Sequence, residues 1–174
     1  MSGLSAILKC LDRLTQWANA IGSLMILGLI LLIGADVLGR NLIGNPIRGV
    51  PEIVSLSIVA IVFLQAPNAL RSGRLTRSEG MLEFVQWHSP QIVKYIETVF
   101  DMLGGTVMLV LIYAHWPILV KSINTQDYVG AVGDFTAPTW PAKLMLLIGS
   151  VLITLQFLAN IARRWGRFGQ SGQR

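Results

Sequence analysis

Four long stretches of the chain are apolar almost without interruption, and the basic residues stand between them. Leu14–Ala35, Ile53–Leu70, Met102–Val120 and Leu144–Ala162 each run 18 to 22 residues without a charged side chain. A helix rises 1.5 Å per residue, so about 20 residues cross a hydrocarbon core of about 30 Å. The pattern predicts four transmembrane helices, over about 14–38, 52–70, 98–120 and 141–163. Alternating runs of about ten residues, the mark of spanning strands, are absent. The expected fold is an all-α integral membrane protein forming a single membrane domain over 1–174.

Two flanking stretches carry a different pattern. Leu4, Ile7, Leu8, Leu11 and Leu14 recur at spacings of three and four, one apolar stripe ahead of the first span. Met81, Leu82, Phe84, Val85 and Trp87 stand beside Glu79, Glu83 and Gln86, before Pro90 interrupts the pattern. Both are expected to be interfacial helices, lying in the headgroup plane with the apolar face down. A further piece, Ile92–Thr98, leads into the third span. Trp17, Trp116, Trp140 and Trp165 fall near span ends, where interfacial aromatics gather.

Composition supports the membrane reading. Hydrophobic residues make up 53% and charged residues 13%, against about 25% charged in soluble domains. The mean hydropathy is +0.60. Too few charges remain to cover a water-facing surface. The net charge of +5 would suit a nucleic-acid binder if the Lys and Arg residues lined one face, but they bracket the apolar runs instead. Ten of the 14 basic residues lie in the N-terminus, the 71–97 loop and the C-terminus: Lys9, Arg13, Arg71, Arg74, Arg77, Lys94, Arg163, Arg164, Arg167 and Arg174. Arg40, Arg48, Lys121 and Lys143 remain for the other side. The positive-inside rule then places both termini and the middle loop in the cytoplasm. Lys9 and Arg13 precede the first run as they would in a signal peptide, but the run is too long and no small-x-small site follows, so it is expected to be retained as an anchor. The lone Cys10 allows no internal disulfide or thiolate cluster.

The spans carry little chemistry. Asp36 and Arg40 stand four residues apart at the outer end of the first helix, and an interfacial pair is expected there rather than an ion site. Glu52, directly after Pro51, suits the positive end of the second helix. Asp101, one turn after Glu97, is expected to be solvated among headgroups. His115 lies inside the third span and His88 in the middle loop, too different in depth to hold a haem together, so His115 is expected to donate a hydrogen bond in helix packing. Gln65 and Asn68 around Pro67, and Gln156 with Asn160, are expected to bond across helices rather than line a substrate path. Gly22 with Gly28, and Gly104 with Gly105, permit close helix approach. No phosphate-binding loop, zinc-binding helix or nucleophile elbow is present, so no enzyme, catalytic residue, metal site or cofactor site is expected.

Three stretches resemble the small membrane subunit of tripartite ATP-independent periplasmic (TRAP) transporters. Residues 34–53, GADVLGRNLIGNPIRGVPEI, are similar to that family's arginine after the first span, Asn-Pro turn, glycine and helix-opening glutamate, with Arg40, Pro46, Gly49 and Glu52 at those positions. Residues 63–79, FLQAPNALRSGRLTRSE, resemble its Phe-Leu-Gly-Ala run ending in basic residues. Gln65 departs from the usual glycine, and Arg74 and Ser78 stand where His and Asp are common. Residues 136–149, TAPTWPAKLMLLIG, resemble its Pro-x-Trp approach to the fourth span, with Pro138 and Trp140.

The resemblance implies a non-catalytic scaffold subunit of a sodium-coupled secondary transporter for organic-acid-type solutes. It implies two protein partners besides the lipid bilayer: a large elevator-type membrane subunit that holds the sodium and substrate sites, and a periplasmic substrate-binding protein. The small subunit itself would need no cofactor. Arg40, Arg48, Asp127, Asp134 and Lys143 are the charges available in the outer loops for docking the binding protein. Two other readings of the residues are a membrane anchor of a respiratory oxidoreductase, which would need haem or quinone chemistry, and a small carrier working alone.

Overall fold

The structure, a computed structural model, describes residues 2–73, 90–131 and 135–171. Helix α1 (Ser2–Leu38) runs on into a short π-helical turn (Gly39–Ile43). Helix α2 spans Val50–Arg71, and α3 spans Pro90–Thr125. Strands β1 (Tyr128–Ala131) and β2 (Phe135–Pro138) pair antiparallel, and α4 spans Trp140–Ser171. All four helices are long and apolar enough to cross a membrane. The protein is an all-α membrane protein with one small hairpin.

The N-terminal stripe is not a separate helix: α1 is continuous from Ser2 through the first span. Ile7 and Leu14 of that stripe are exposed, whereas Leu11 is buried. Nothing between residues 2 and 38 breaks the backbone pattern, because the chain there has no Pro and its glycines sit inside an otherwise strongly helical stretch. Likewise the Ile92–Thr98 piece is simply the start of α3. The middle interfacial helix expected over 79–89, with Arg74, Ser78 and His88, lies outside the described residues.

The helices stand in a row rather than around a common core. α1 packs on α2, α2 on α4, and α4 on α3, with a lighter contact between α1 and α4. The inner members of the row, α2 and α4, therefore bury more of their apolar windows (28% and 39%) than the edge members α1 and α3 (11% and 6%). Two seams hold the outer pairs. On α1 the inward positions are Leu11, Thr15, Ala18, Gly22, Met25, Leu29, Leu32 and Asp36. On α3 they are Asp101, Gly105, Met108, Ile112, His115, Leu119 and Ser122. Each list advances by alternating threes and fours, the repeat of a left-handed knobs-into-holes seam.

Small residues set the closest approaches. A side chain at Gly149 on α4 would collide with the backbone carbonyl of Phe63 on α2. Gly104 on α3 leaves room for the Phe157 ring of α4, and Gly22 on α1 for the Gln65 side chain of α2. These contacts explain why glycines sit mid-helix, where each costs about 1 kcal/mol of helix propensity.

The start of α1 and the last turns of α4 lie at one end of the row, where Asp12 meets Arg163; it is called the termini end. The loop after α1 and the hairpin lie at the other, the hairpin end.

Candidate functional site

The hairpin end is assembled from two loops. After α1, Asp36 is almost fully buried and binds on two sides. Its Oδ2 takes Arg40 Nη2 at 3.0 Å, and its Oδ1 accepts the Ile47 backbone N–H at 2.8 Å. The expected i, i+4 pair is present, and it also ties down the loop eleven residues later. Gly44 and Gly49 take left-handed conformations (φ +71° and +81°) that end the π-helical turn and precede α2. Glu52 sits in the first turn of α2 after Pro51, as expected.

The second loop begins where α3 stops. Asp127 Oδ1 accepts the Thr125 hydroxyl at 2.6 Å, and its Oδ2 takes Lys143 Nζ at 3.3 Å. Its backbone carbonyl accepts the Thr139 N–H at 3.0 Å, and the Ser122 and Thr139 hydroxyls meet at 2.9 Å. The Thr125 bond, offset in part by burial and helped by Lys143 and Lys121, holds the Asp127 carboxyl below the ordinary carboxylate value. These bonds close the end of α3 onto the start of α4, with the hairpin as the connection.

One side chain joins the two loops. The Phe135 ring of β2 lies directly over Gly49, where a Cβ would fall inside the ring. Gly130, at φ +111°, lets β1 pass close to the Phe135 carbonyl near Glu52. The result is one continuous outer surface. Beside it, Ile123, Gln126, Tyr128, Thr136, Pro138 and Trp140 line an open groove of about 570 Å³. Tyr128 and Trp140 are exposed there.

Of the docking charges read from the sequence, Arg40 is paired with Asp36, Asp127 is paired with Lys143, and Arg48 is exposed in the turn before α2. Asp134 lies outside the described residues. Pro46 is exposed in the first loop, Gly49 carries Phe135, and Pro138 sits opposite Tyr128 in the hairpin register. Phe135 was not foreseeable: its partner Gly49 lies in a different loop, and nothing in the spacing of either loop joins them.

At the termini end the charges meet across helices. Arg164 Nε lies 3.0 Å from Glu97 Oε2, and its Nη1 lies 2.9 Å from Asp101 Oδ2. Asp101 is fully buried. The expectation of a solvated Asp101 is therefore wrong, because α4 brings an arginine to it. Arg163 Nη2 donates to Asp12 Oδ1 at 2.6 Å, and Arg71 Nη1 approaches the same oxygen at 4.0 Å. The Gln16 amide oxygen, oriented toward Arg71, accepts from both of its Nη atoms at 2.9 and 3.1 Å. Slightly deeper, Gln156 is fully buried and donates to Thr15 Oγ1 at 2.9 Å, while its own oxygen has no partner among the described residues. Gln65 reaches Ser23 at 3.5 Å. Of the four amides expected to bond across helices, Gln156 and Gln65 do so; no such bond of the Asn68 or Asn160 side chain is found among the described residues. His115 faces α4 on the α3 seam, but its buried Nε2 finds no partner among the described residues, so the expected donated bond is not made from that atom.

The described residues hold no group of three or more His, Cys, Asp or Glu side chains able to bind a metal. What the geometry provides is two polar belts, one at each end, joined by apolar spans.

The family model for the DctQ component of tripartite ATP-independent periplasmic transporters matches residues 29–167, most of the chain. The chain belongs to the DctQ family. It is the small membrane subunit type of a TRAP transporter, a multi-pass membrane protein of transport. No curated protein and no solved structure matches the chain significantly. The DctQ match begins within α1, ahead of Asp36, and takes in both hairpin-end loops, α2, α3 and nearly all of α4.

Proposed function

We propose that this DctQ-family chain is the fixed brace of a sodium-coupled secondary transporter for carboxylate-bearing solutes. The larger membrane subunit holds the sodium and substrate sites and moves, while this chain widens the stationary part and steadies it in the bilayer. Its hairpin end faces the periplasm and contributes to the surface on which the substrate-binding protein docks. Its termini end faces the cytoplasm of a bacterial inner-membrane protein, in keeping with the ten basic residues on that side.

The observation that carries this reading is the row of helices. A layer one helix thick encloses little, and its edge helices leave long apolar faces uncovered: Leu24, Leu27, Ile30 and Leu31 on α1, and Leu103, Val107 and Val110 on α3. Several polar groups within the row bond one another across helices, as Gln156 does with Thr15 and Arg163 with Asp12. Such a layer has surface to offer a partner and no room for a substrate path of its own.

Charge reversal at Arg40, Arg48, Asp127 and Lys143, with Asp134 added, tests the docking role. Uptake by the assembled transporter is expected to fall while the membrane subunits still co-purify. Unchanged uptake in every reversal removes the docking role. Sodium-dependent uptake into vesicles containing this chain alone would overturn the brace.

A further inference from the structure

The two flanks of the α1 seam differ in chemistry. At 100° per residue, Asp12, Gln16, Asn19 and Ser23 fall within about 60° of one another, beside the stripe that meets α2. On the other flank lie Ile7, Leu14, Trp17, Ile21 and Leu24, all exposed. α2 adds Gln65 and Arg71 to the polar flank: Gln65 crosses Gly22 to reach Ser23, and Arg71 meets Gln16 and Asp12. One edge of the α1–α2 pair is therefore polar from the termini end to Ser23. That point lies about 9 to 16 Å inside by helix rise, within the hydrocarbon layer.

Three features of this edge are incomplete among the described residues. Ser23 and Gln16 are exposed. Gln65 has two donor hydrogens and a carbonyl oxygen, and its bond to Ser23 is long at 3.5 Å. Charge does not balance either. Two guanidiniums share one carboxylate: Arg163 holds Asp12 at 2.6 Å, leaving Arg71 at 4.0 Å. Arg71 rests mainly on a neutral amide, and its buried Nε has no partner among the described residues. Acyl chains offer no hydrogen bonds, so lipid alone would leave the Ser23–Gln65 level unsatisfied.

We propose that the polar edge formed by Asp12, Gln16, Asn19 and Ser23 of α1 with Gln65 and Arg71 of α2 is the face that seats a second membrane protein. That partner presents a carboxylate to Arg71 and a hydrogen-bonding side chain to Ser23 and Gln65. The inference rests on the brace reading and deepens it, since the occupant is then the large membrane subunit. The apolar face of α3 is left to lipid.

The test is photocrosslinking in native membranes. A photoreactive amino acid replaces Ser23 or Gln16 in one set, and Val107 or Val110 of α3 in the other. The tagged chain is then purified in mild detergent. Crosslinks to a large membrane polypeptide from positions 23 and 16, with lipid adducts from 107 and 110, are the expected result. Protein crosslinks from α3 and only lipid adducts from positions 23 and 16 overturn the assignment of the face while leaving the brace intact. No large membrane polypeptide co-purifying with the unmodified chain overturns both. The variant Ser23→Ala/Gln65→Leu, apolar throughout and so compatible with insertion, should lower recovery of the large polypeptide about tenfold, the loss expected for one or two interhelical polar contacts. Undiminished recovery counts against the proposal.

Discussion

The carbonyl oxygen of Phe63 in α2 faces Gly149 in α4 so closely that no side chain fits between them. The same carbonyl is the one that Pro67, four residues on, leaves without its helical N–H donor. A freed acceptor in a membrane span needs a partner, and the Cα–H groups of a glycine provide a weak one. Pro67 and Gly149 therefore work together: one releases the acceptor, the other lets a helix cover it. Gly149→Ala should force α2 and α4 apart at a cost of about 1–3 kcal/mol, typical of overpacking. Gly28→Ala, with nothing within 4 Å of the added carbon, should cost nothing and gain up to about 1 kcal/mol of helix propensity. Thermal unfolding of the membrane complex in detergent measures both, and equal melting points for the two variants would refute the account.

Arg164 sits between Glu97 and fully buried Asp101, so its removal takes the arginine away from a partly exposed carboxylate and a fully buried one at the termini end. Arg164→Gln should destabilise the α3–α4 pair by about 3 kcal/mol, the low end for breaking a buried ion pair because Glu97 and Arg164 keep some water contact. Adding Asp101→Asn should restore part of the loss, since the stranded charge is then gone. Membrane abundance and melting temperature of the single and double variants decide it. A double variant whose loss equals the sum of the two singles would show that the groups do not act on one another.

Gln156 and Thr15 give a sharper contrast, because the pair is buried and neutral. Thr15→Val leaves the Gln156 amide with neither hydrogen-bonding atom satisfied and should cost about 1–3 kcal/mol. Replacing both, with Thr15→Val and Gln156→Leu, should be nearly neutral, since two apolar side chains of similar shape need no partner. If the double variant is as unstable as Thr15→Val alone, the stabilising role lies in shape rather than in hydrogen bonding.

The four spans were legible because a run of about 20 apolar residues has one explanation. The Asp36–Arg40 pair was legible because i and i+4 face the same way on a helix. The seams were not, although Leu11 to Asp36 keeps a regular 3–4 spacing. In water a helix marks its buried face with apolar residues; in lipid every face is apolar, and the buried one is marked by Thr15, Gly22, Asp101, Gly105 and Ser122 instead. Small and polar positions carry that signal, and hydropathy overlooks them. Cross-helix partners such as Arg163 for Asp12 were out of reach for a plainer reason. The order of helices in the row is not written in any one of them.

Asp127 sets how the hairpin end responds to acid. Its carboxyl is held below the ordinary value of 3.8, first by the Thr125 hydroxyl and then by Lys143 and Lys121. A carboxylate whose folded pKa is depressed lends stability above its unfolded pKa and loses it as pH falls through the folded value. The tie from α3 to α4 should therefore be fully present from about pH 5 upward and weaken progressively as pH falls below that. Asp127→Asn should remove that step and loosen the hairpin at neutral pH. Hydrogen exchange of the β1 and β2 amides, followed from pH 7 to 3 after correction for the intrinsic rate, reports both. Protection that already declines between pH 7 and 5 would assign the hairpin's anchor to some group other than Asp127.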